Sequence, residues 1–173
     1  MKLNIIKYRR WLLDMPYFKR IGVSYLIMVG IAVVELLALM LTGLIVNVDE
    51  NSISLYDSMP DELLKLIPLL LLFAFIESLF FQYLPFKIFK FFCDIRDKML
   101  RIMPYVIVSG IVFGALHWTS DLVYPSLNMC RVIFHSICGM HIAFMFYVFR
   151  KRRQCGLLSI TLVHWFYNVV LFV

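Results

Sequence analysis

Apolar residues fall in five long stretches separated by short polar ones: Ile21–Val46, Leu63–Phe86, Met103–Trp118, Leu127–Phe149 and Gly156–Val173. A helix needs about 20 apolar residues to cross roughly 30 Å of hydrocarbon, so each stretch reads as a membrane span. The first is interrupted only by Glu35, and the second enters at Pro68 and leaves at Pro85. The third and last are short and fit a bilayer with little tilt. The expected fold class is all-α, a multi-pass transmembrane helix bundle of about five spans. Residues 1–20 form a basic cytoplasmic or interfacial head, with Ile5, Ile6, Trp11, Leu12 and Leu13 among the bases. Residues 21–173 form a single transmembrane domain, with no internal repeat, low-complexity tract or Gly/Ser linker.

Composition removes the soluble alternative. Of 173 residues, 62% are hydrophobic and 16% charged, and the mean hydropathy is +0.86. Soluble domains carry roughly 45–50% apolar and about 25% charged residues, and no soluble fold of this length buries such an excess. No cleaved signal peptide is expected, because the first apolar stretch is long and follows an extended basic head.

The net charge of +6 does not point to nucleic acid, because the bases lie in short blocks between apolar stretches. Residues 1–20 hold Lys2, Lys7, Arg9, Arg10, Lys19 and Arg20 against Asp14. The next connection holds Asp49, Glu50, Asp57, Asp61 and Glu62. Lys87, Lys90, Arg96, Lys98 and Arg101 then outnumber Asp94 and Asp97. A nearly neutral connection with Asp121 follows, then Arg150-Lys151-Arg152-Arg153. Basic connections belong in the cytoplasm, which gives a cytoplasmic N-terminus and makes the Arg150–Arg153 run a topological anchor. The cysteines Cys93, Cys130, Cys138 and Cys155 show no CxxC or zinc spacing and read as packing residues.

Candidate chemistry lies in the polar residues that these spans carry at a cost: Glu35, Glu77, Ser78, Gln82, His117, His135, His141, His164 and Asn168. Glu77 and His164 fall near the middle of their spans, and Asn168 follows His164 by one helical turn, on the same face. Three helices thus offer a carboxylate, two imidazoles and a carboxamide at overlapping depths. Such a set can deprotonate water, bind a metal or donate to an oxyanion. Glu35 reads as a helix–helix hydrogen-bonding group. Spacing alone leaves His135 and His141 as hydrogen-bonded packing residues.

These residues occur in a family order. The chain resembles the CPBP family of intramembrane proteases (CAAX-prenyl proteases and bacteriocin-processing enzymes, also called Abi). That family carries EExxxR, FxxxH and HxxxN in successive membrane helices. The first motif is Glu77-Ser78-Leu79-Phe80-Phe81-Gln82, the second Phe113-Gly114-Ala115-Leu116-His117, the third His164-Trp165-Phe166-Tyr167-Asn168. The resemblance covers about residues 65–173. It departs at Ser78 and Gln82, which replace the second glutamate and the arginine.

The resemblance implies an intramembrane peptidase in which Glu77 and His117 activate a water and His164 and Asn168 stabilise the oxyanion. Ser78, Gln82 and Phe113 would support and orient them. It implies no cofactor, although Glu77, His117 and His164 have the ligand types of a zinc site. The implied partners are membrane lipid and a peptide or lipidated protein substrate, with no nucleic acid, and a bacterial plasma membrane fits. Two other readings stand beside it. A decayed relative would act as a bacteriocin self-immunity or binding protein. A small transporter would relay protons through Glu35, Glu77 and the histidines, though five spans do not divide into two like halves.

Overall fold

The structure, a computed structural model, describes residues 2–41, 60–92, 99–118 and 125–172. In order these form α1 (Lys2–Asp14), α2 (Tyr17–Leu41), α3 (Pro60–Ser78), a π-helical turn (Leu79–Tyr83), α4 (Leu84–Phe92), α5 (Met99–Ala115), α6 (Pro125–Lys151) and α7 (Gly156–Phe172). No strand occurs among the described residues. Three helical stretches, Tyr17–Leu41, Leu66–Phe92 and Asn128–Lys151, are long and apolar enough to cross a membrane, and Ile102–Ala115 is a shorter apolar helix. The fold is an all-α membrane helix bundle. The acidic connection with Asp49, Glu50 and Asp57, the segment with Cys93, and Asp121 lie outside the described residues.

Apolar side chains on opposite faces do two jobs. Leu26, Val33, Val34, Leu37 and Met40 of α2, with Leu69, Leu72 and Phe80 further along, are exposed and form the lipid-facing surface of the bundle. The inward set is centred on α6, whose residues from Ile142 through Phe149 are all buried. Aromatic edges lock that core: Phe86 meets Tyr105 and Phe146 edge-on with centroids 5.4 and 5.2 Å apart, and Tyr83 meets Phe146 at 6.2 Å.

The closest helix pair is α5 on α6, and glycine permits it. A Cβ at Gly114 would stand 2.0 Å from Ser136 Oγ and 2.5 Å from the Val132 carbonyl oxygen. One at Gly110 would meet the Ser136 carbonyl oxygen at 2.7 Å, and one at Gly139, across the same seam, would meet Gly110 Cα at 3.0 Å. Small residues that let backbones touch are the usual basis of helix association in lipid, where hydrophobic burial supplies no preference between helices.

The expected boundary at residue 20 falls inside α2. Arg20 is buried, and it hydrogen-bonds from Nε to Leu12 O (2.8 Å), from Nη1 to Gln154 Oε1 (2.6 Å), and from Nη2 to the carbonyls of Leu13 and Met15 (3.2 and 2.6 Å). Three of these four acceptors are main-chain carbonyls at or just past the end of α1, where a cation is suited. The head is therefore a helix folded onto the bundle: Leu12 and Met15 are buried, and Tyr8 stacks on Phe144 at 6.0 Å. The basic run beyond α6 ends that helix. Arg153 takes φ 56°, while Gln154 N–H returns to Phe149 O and Arg153 N–H to Arg150 O, a left-handed C-terminal cap.

Pro85 does not end the second span. Proline has no N–H for the carbonyl four residues back, here Phe81 O, and the π-turn carries the helix past it. Ser109 Oγ donates to Phe81 O instead, and Tyr105 Oη donates to Gln82 O at 3.0 Å.

Gly114→Ala should destabilise the protein by about 1–3 kcal/mol through overpacking. Gly22→Ala, where the added methyl meets nothing within 4 Å, should stabilise it by about 0.5–1 kcal/mol. Melting temperatures in detergent would fall and rise respectively, and equal behaviour of the two variants would contradict the seam.

Candidate active site

Glu77 is the penultimate residue of α3, one residue before the π-turn. Single π-turns within α-helices often mark functional sites, because they rotate the side chains ahead of them relative to those behind. Here the turn is stabilised from within and without. Leu84 N–H donates to Leu79 O, five residues back. The Gln82 carboxamide is fully buried, and with its nitrogen turned toward the helix it donates to the carbonyls of Glu77 and Ser78, each at 3.2 Å. Gln82 thus holds the carbonyls of Glu77 and Ser78 with a neutral amide. Ser78 is fully buried, its Oγ has no hydrogen-bond partner among the described residues, and it is not among the residues lining the cavity described below.

The Glu77 carboxylate meets His164 of α7, with Oε2 3.2 Å from Nε2. His164 is buried, and its other ring nitrogen, Nδ1, is buried without a hydrogen-bond partner among the described residues. Phe113 of α5 lies beside it, edge-on at 5.7 Å, and also touches the His117 ring at 4.6 Å and Phe81 at 5.8 Å. Phe113 is therefore the apolar partition against which both histidines rest.

His117 stands just beyond the end of α5, in a turn closed by its own N–H to Gly114 O at 3.0 Å. Its Nδ1 is 2.8 Å from Phe113 O. A carbonyl only accepts, so Nδ1 carries the hydrogen, and in the neutral ring Nε2 presents a lone pair. His135 of α6 repeats the device, with Nδ1 2.9 Å from Arg131 O. Its ring stacks on His117, with centroids 4.1 Å apart and planes at 28°.

Glu77, Phe113, His117, His135, His164 and Asn168 line one cavity of about 320 Å³ among α2, α3, α5, α6 and α7. Met28, Leu70 and Phe73 supply apolar wall, and Cys138 and Tyr167 complete it. All four residues that the motifs point to, Glu77, His117, His164 and Asn168, are brought together here. His135, which spacing left as a packing residue, joins them. The signal for it was absent from its own helix, since the α5–α6 seam is what places its ring on His117.

The other polar candidates lie elsewhere. His141 Nε2 hydrogen-bonds Ser24 Oγ at 2.9 Å, tying α6 to α2. Glu35 is half-buried and lines a separate, mainly apolar groove along α2, which His135 and Tyr167 border from the other side. Among the described residues no group of three His, Cys, Asp or Glu side chains that could hold a metal ion occurs. Cys130, Cys138 and Cys155 are free thiols.

The sequence pattern of the family described as type II CAAX prenyl endopeptidase Rce1-like matches residues 59–170. The chain belongs to this family. The matched region takes in all three motifs and every helix that lines the cavity except α2. This is a membrane-protease family, and the protein is an integral membrane member of it. No curated protein and no solved structure matched the chain.

Proposed function

We propose that the protein is an intramembrane endopeptidase that hydrolyses a peptide bond of a lipidated or membrane-associated chain, using a water activated by Glu77 and His117. The observation that carries this reading is the contact of Glu77 Oε2 with His164 Nε2, 3.2 Å, within a cavity that His117 and Asn168 share. A carboxylate and three imidazoles are costly in an apolar bundle. Their gathering at one concavity, with two of the rings held in fixed tautomers, is what a hydrolytic site requires.

The roles follow from donors and acceptors. Water enters between Glu77 and His117 and offers one hydrogen to the carboxylate and the other to the His117 Nε2 lone pair. As its oxygen attacks the scissile carbonyl carbon, Glu77 takes the first proton. Negative charge moves to the carbonyl oxygen, where the Asn168 amide donates to it. The proton on Glu77 then passes to the departing nitrogen as the C–N bond breaks, leaving a carboxylic acid and an amine.

The contact with Glu77 gives His164 a further task. With Glu77 ionised, His164 Nε2–H donates to it and holds it in place. In the neutral ring Nδ1 then carries a lone pair, so His164 donates to the oxyanion from Nδ1 only as an imidazolium. The first share of that stabilisation falls to Asn168. His135 acts on His117 alone, covering one face of its ring and fixing its position.

The replacements at Ser78 and Gln82 are compatible with activity. Gln82 still binds the Glu77 carbonyl, and Ser78 does not line the cavity. The preserved cavity set favours hydrolysis over a decayed immunity protein, which would need none of these groups. The reaction is proposed to proceed without a metal ion. Activity lost to a chelator and restored by zinc would overturn that part.

Cleavage of lipidated membrane peptides by the purified protein should fall about 10²–10⁴-fold in Glu77→Gln and about 10²–10³-fold in Asn168→Ala. Full activity in Glu77→Gln would end the mechanism. His135→Ala, which frees the His117 ring, should lower kcat by up to about 10²-fold, and His135→Phe, which keeps a stacked ring, should restore most of it. If the phenylalanine variant were as inactive as the alanine one, His135 would have a chemical role and not a positioning one.

A further inference from the structure

A second cavity, of about 390 Å³, opens where α1 crosses the end of α6. Arg9 and Arg10 of α1 and Lys151 and Arg152 at the end of α6 line it, with Asp14 as the one carboxylate among its lining residues. Asp14 is engaged by Arg152, whose Nη2 lies 3.4 Å from Oδ1. The clustered guanidinium groups of Arg9, Arg10 and Arg152 repel one another, and an anion between them relieves that repulsion.

Arg9 supplies an independent sign of a missing acceptor. Its guanidinium lies over the Tyr147 ring, with Cζ 5.6 Å from the centroid. Its Nε–H is buried with no hydrogen-bond partner among the described residues. A buried donor on a cation is costly to leave unmade. Phosphate oxygens suit the planar guanidinium fork better than any other common anion except carboxylate.

The surroundings choose the source of that phosphate. Ile6 lines the same cavity, and Ile6 and Trp11 are about half exposed on α1, at 47% and 51%. An exposed aromatic and an aliphatic side chain beside clustered bases mark a helix lying in a membrane interface. Anionic headgroups collect at such bases. The cavity lies mainly on α1, outside residues 59–170 that match the protease family.

We propose that this cavity seats the phosphate of an anionic phospholipid headgroup, held by Arg9 and Arg10, with the acyl chains passing Ile6 and Trp11 into the bilayer. The bound lipid fastens α1 to the end of α6. It does so beside Arg20, which carries the junction between α1 and the α6–α7 turn.

The test titrates the full-length protein in neutral detergent with short-chain phosphatidylglycerol, short-chain phosphatidylcholine and inorganic phosphate, following the rise in melting temperature. Phosphatidylglycerol should stabilise the protein and phosphatidylcholine should not. Arg9→Gln and Arg10→Gln should each weaken the apparent affinity about tenfold. Lys19→Gln, which removes an exposed base on α2 outside the cavity, should leave it unchanged. Arg10 is itself exposed, so its variant folds even if Arg9→Gln does not. Equal stabilisation by the two lipids, or an equal loss in Lys19→Gln, would overturn the site in favour of diffuse surface attraction. A shift from inorganic phosphate as large as that from phosphatidylglycerol would overturn the lipid assignment.

Discussion

The site depends on two helices touching backbone to backbone. Gly110 and Gly114 on α5 and Gly139 on α6 leave no room for a Cβ between them. That seam sets how far Phe113 and His117 reach toward α6 and α7. With the helices a methyl group further apart, the 4.1 Å stack of His117 on His135 would open. Phe113 would also lose its hold on His164. Because lipid and leucine are equally apolar, such close packing, and not burial, decides which helix faces meet. The chemistry of the cavity is therefore a consequence of the absence of three side chains.

A second constraint sorts the polar groups. Inside hydrocarbon every donor and acceptor needs a partner, and most polar residues in these spans have one that explains them. Ser24 pairs with His141, Trp165 donates to Ile67 O at 3.0 Å, and Tyr105 and Ser109 take the carbonyls released around Pro85. These pairs hold helices together. At the cavity the pattern changes. His164 has one nitrogen on Glu77 and one with no partner among the described residues, and the Nδ1 hydrogen bonds of His117 and His135 leave each Nε2 free of that task. At this cavity, unlike between the helices, these ring nitrogens are not all spent on holding the bundle together.

Much of this was legible from residue order. Where described, the five apolar stretches are mainly helical, and the three motifs deliver Glu77, His117, His164 and Asn168 to one cavity, because spacing within a helix determines which side chains share a face. What lies between helices was not legible. His135 sits on α6 with no motif around it, and its place beside His117 comes from the glycine seam. Pro85 reads as a span end by its chemistry, yet Ser109 and Tyr105 on another helix supply the hydrogen bonds that let α4 continue. Arg20 reads as the last base of a cytoplasmic or interfacial head, but the carbonyls at the end of α1 and the Gln154 side chain enclose it. Glu35 carries the same carboxylate as Glu77 and sits as deep in the sequence of its span, but it lines a different groove. In each case the deciding partner is distant along the chain.

The contact between Glu77 and His164 is the central claim, and coupling between the two side chains measures it most directly. Groups that act as one unit give losses that do not multiply. If the carboxylate works only while His164 holds it, kcat/KM for Glu77→Gln combined with His164→Ala should be little lower than for the weaker of the two single variants. Losses that multiply through the full cycle would show two independent residues, and would contradict a site built on their contact.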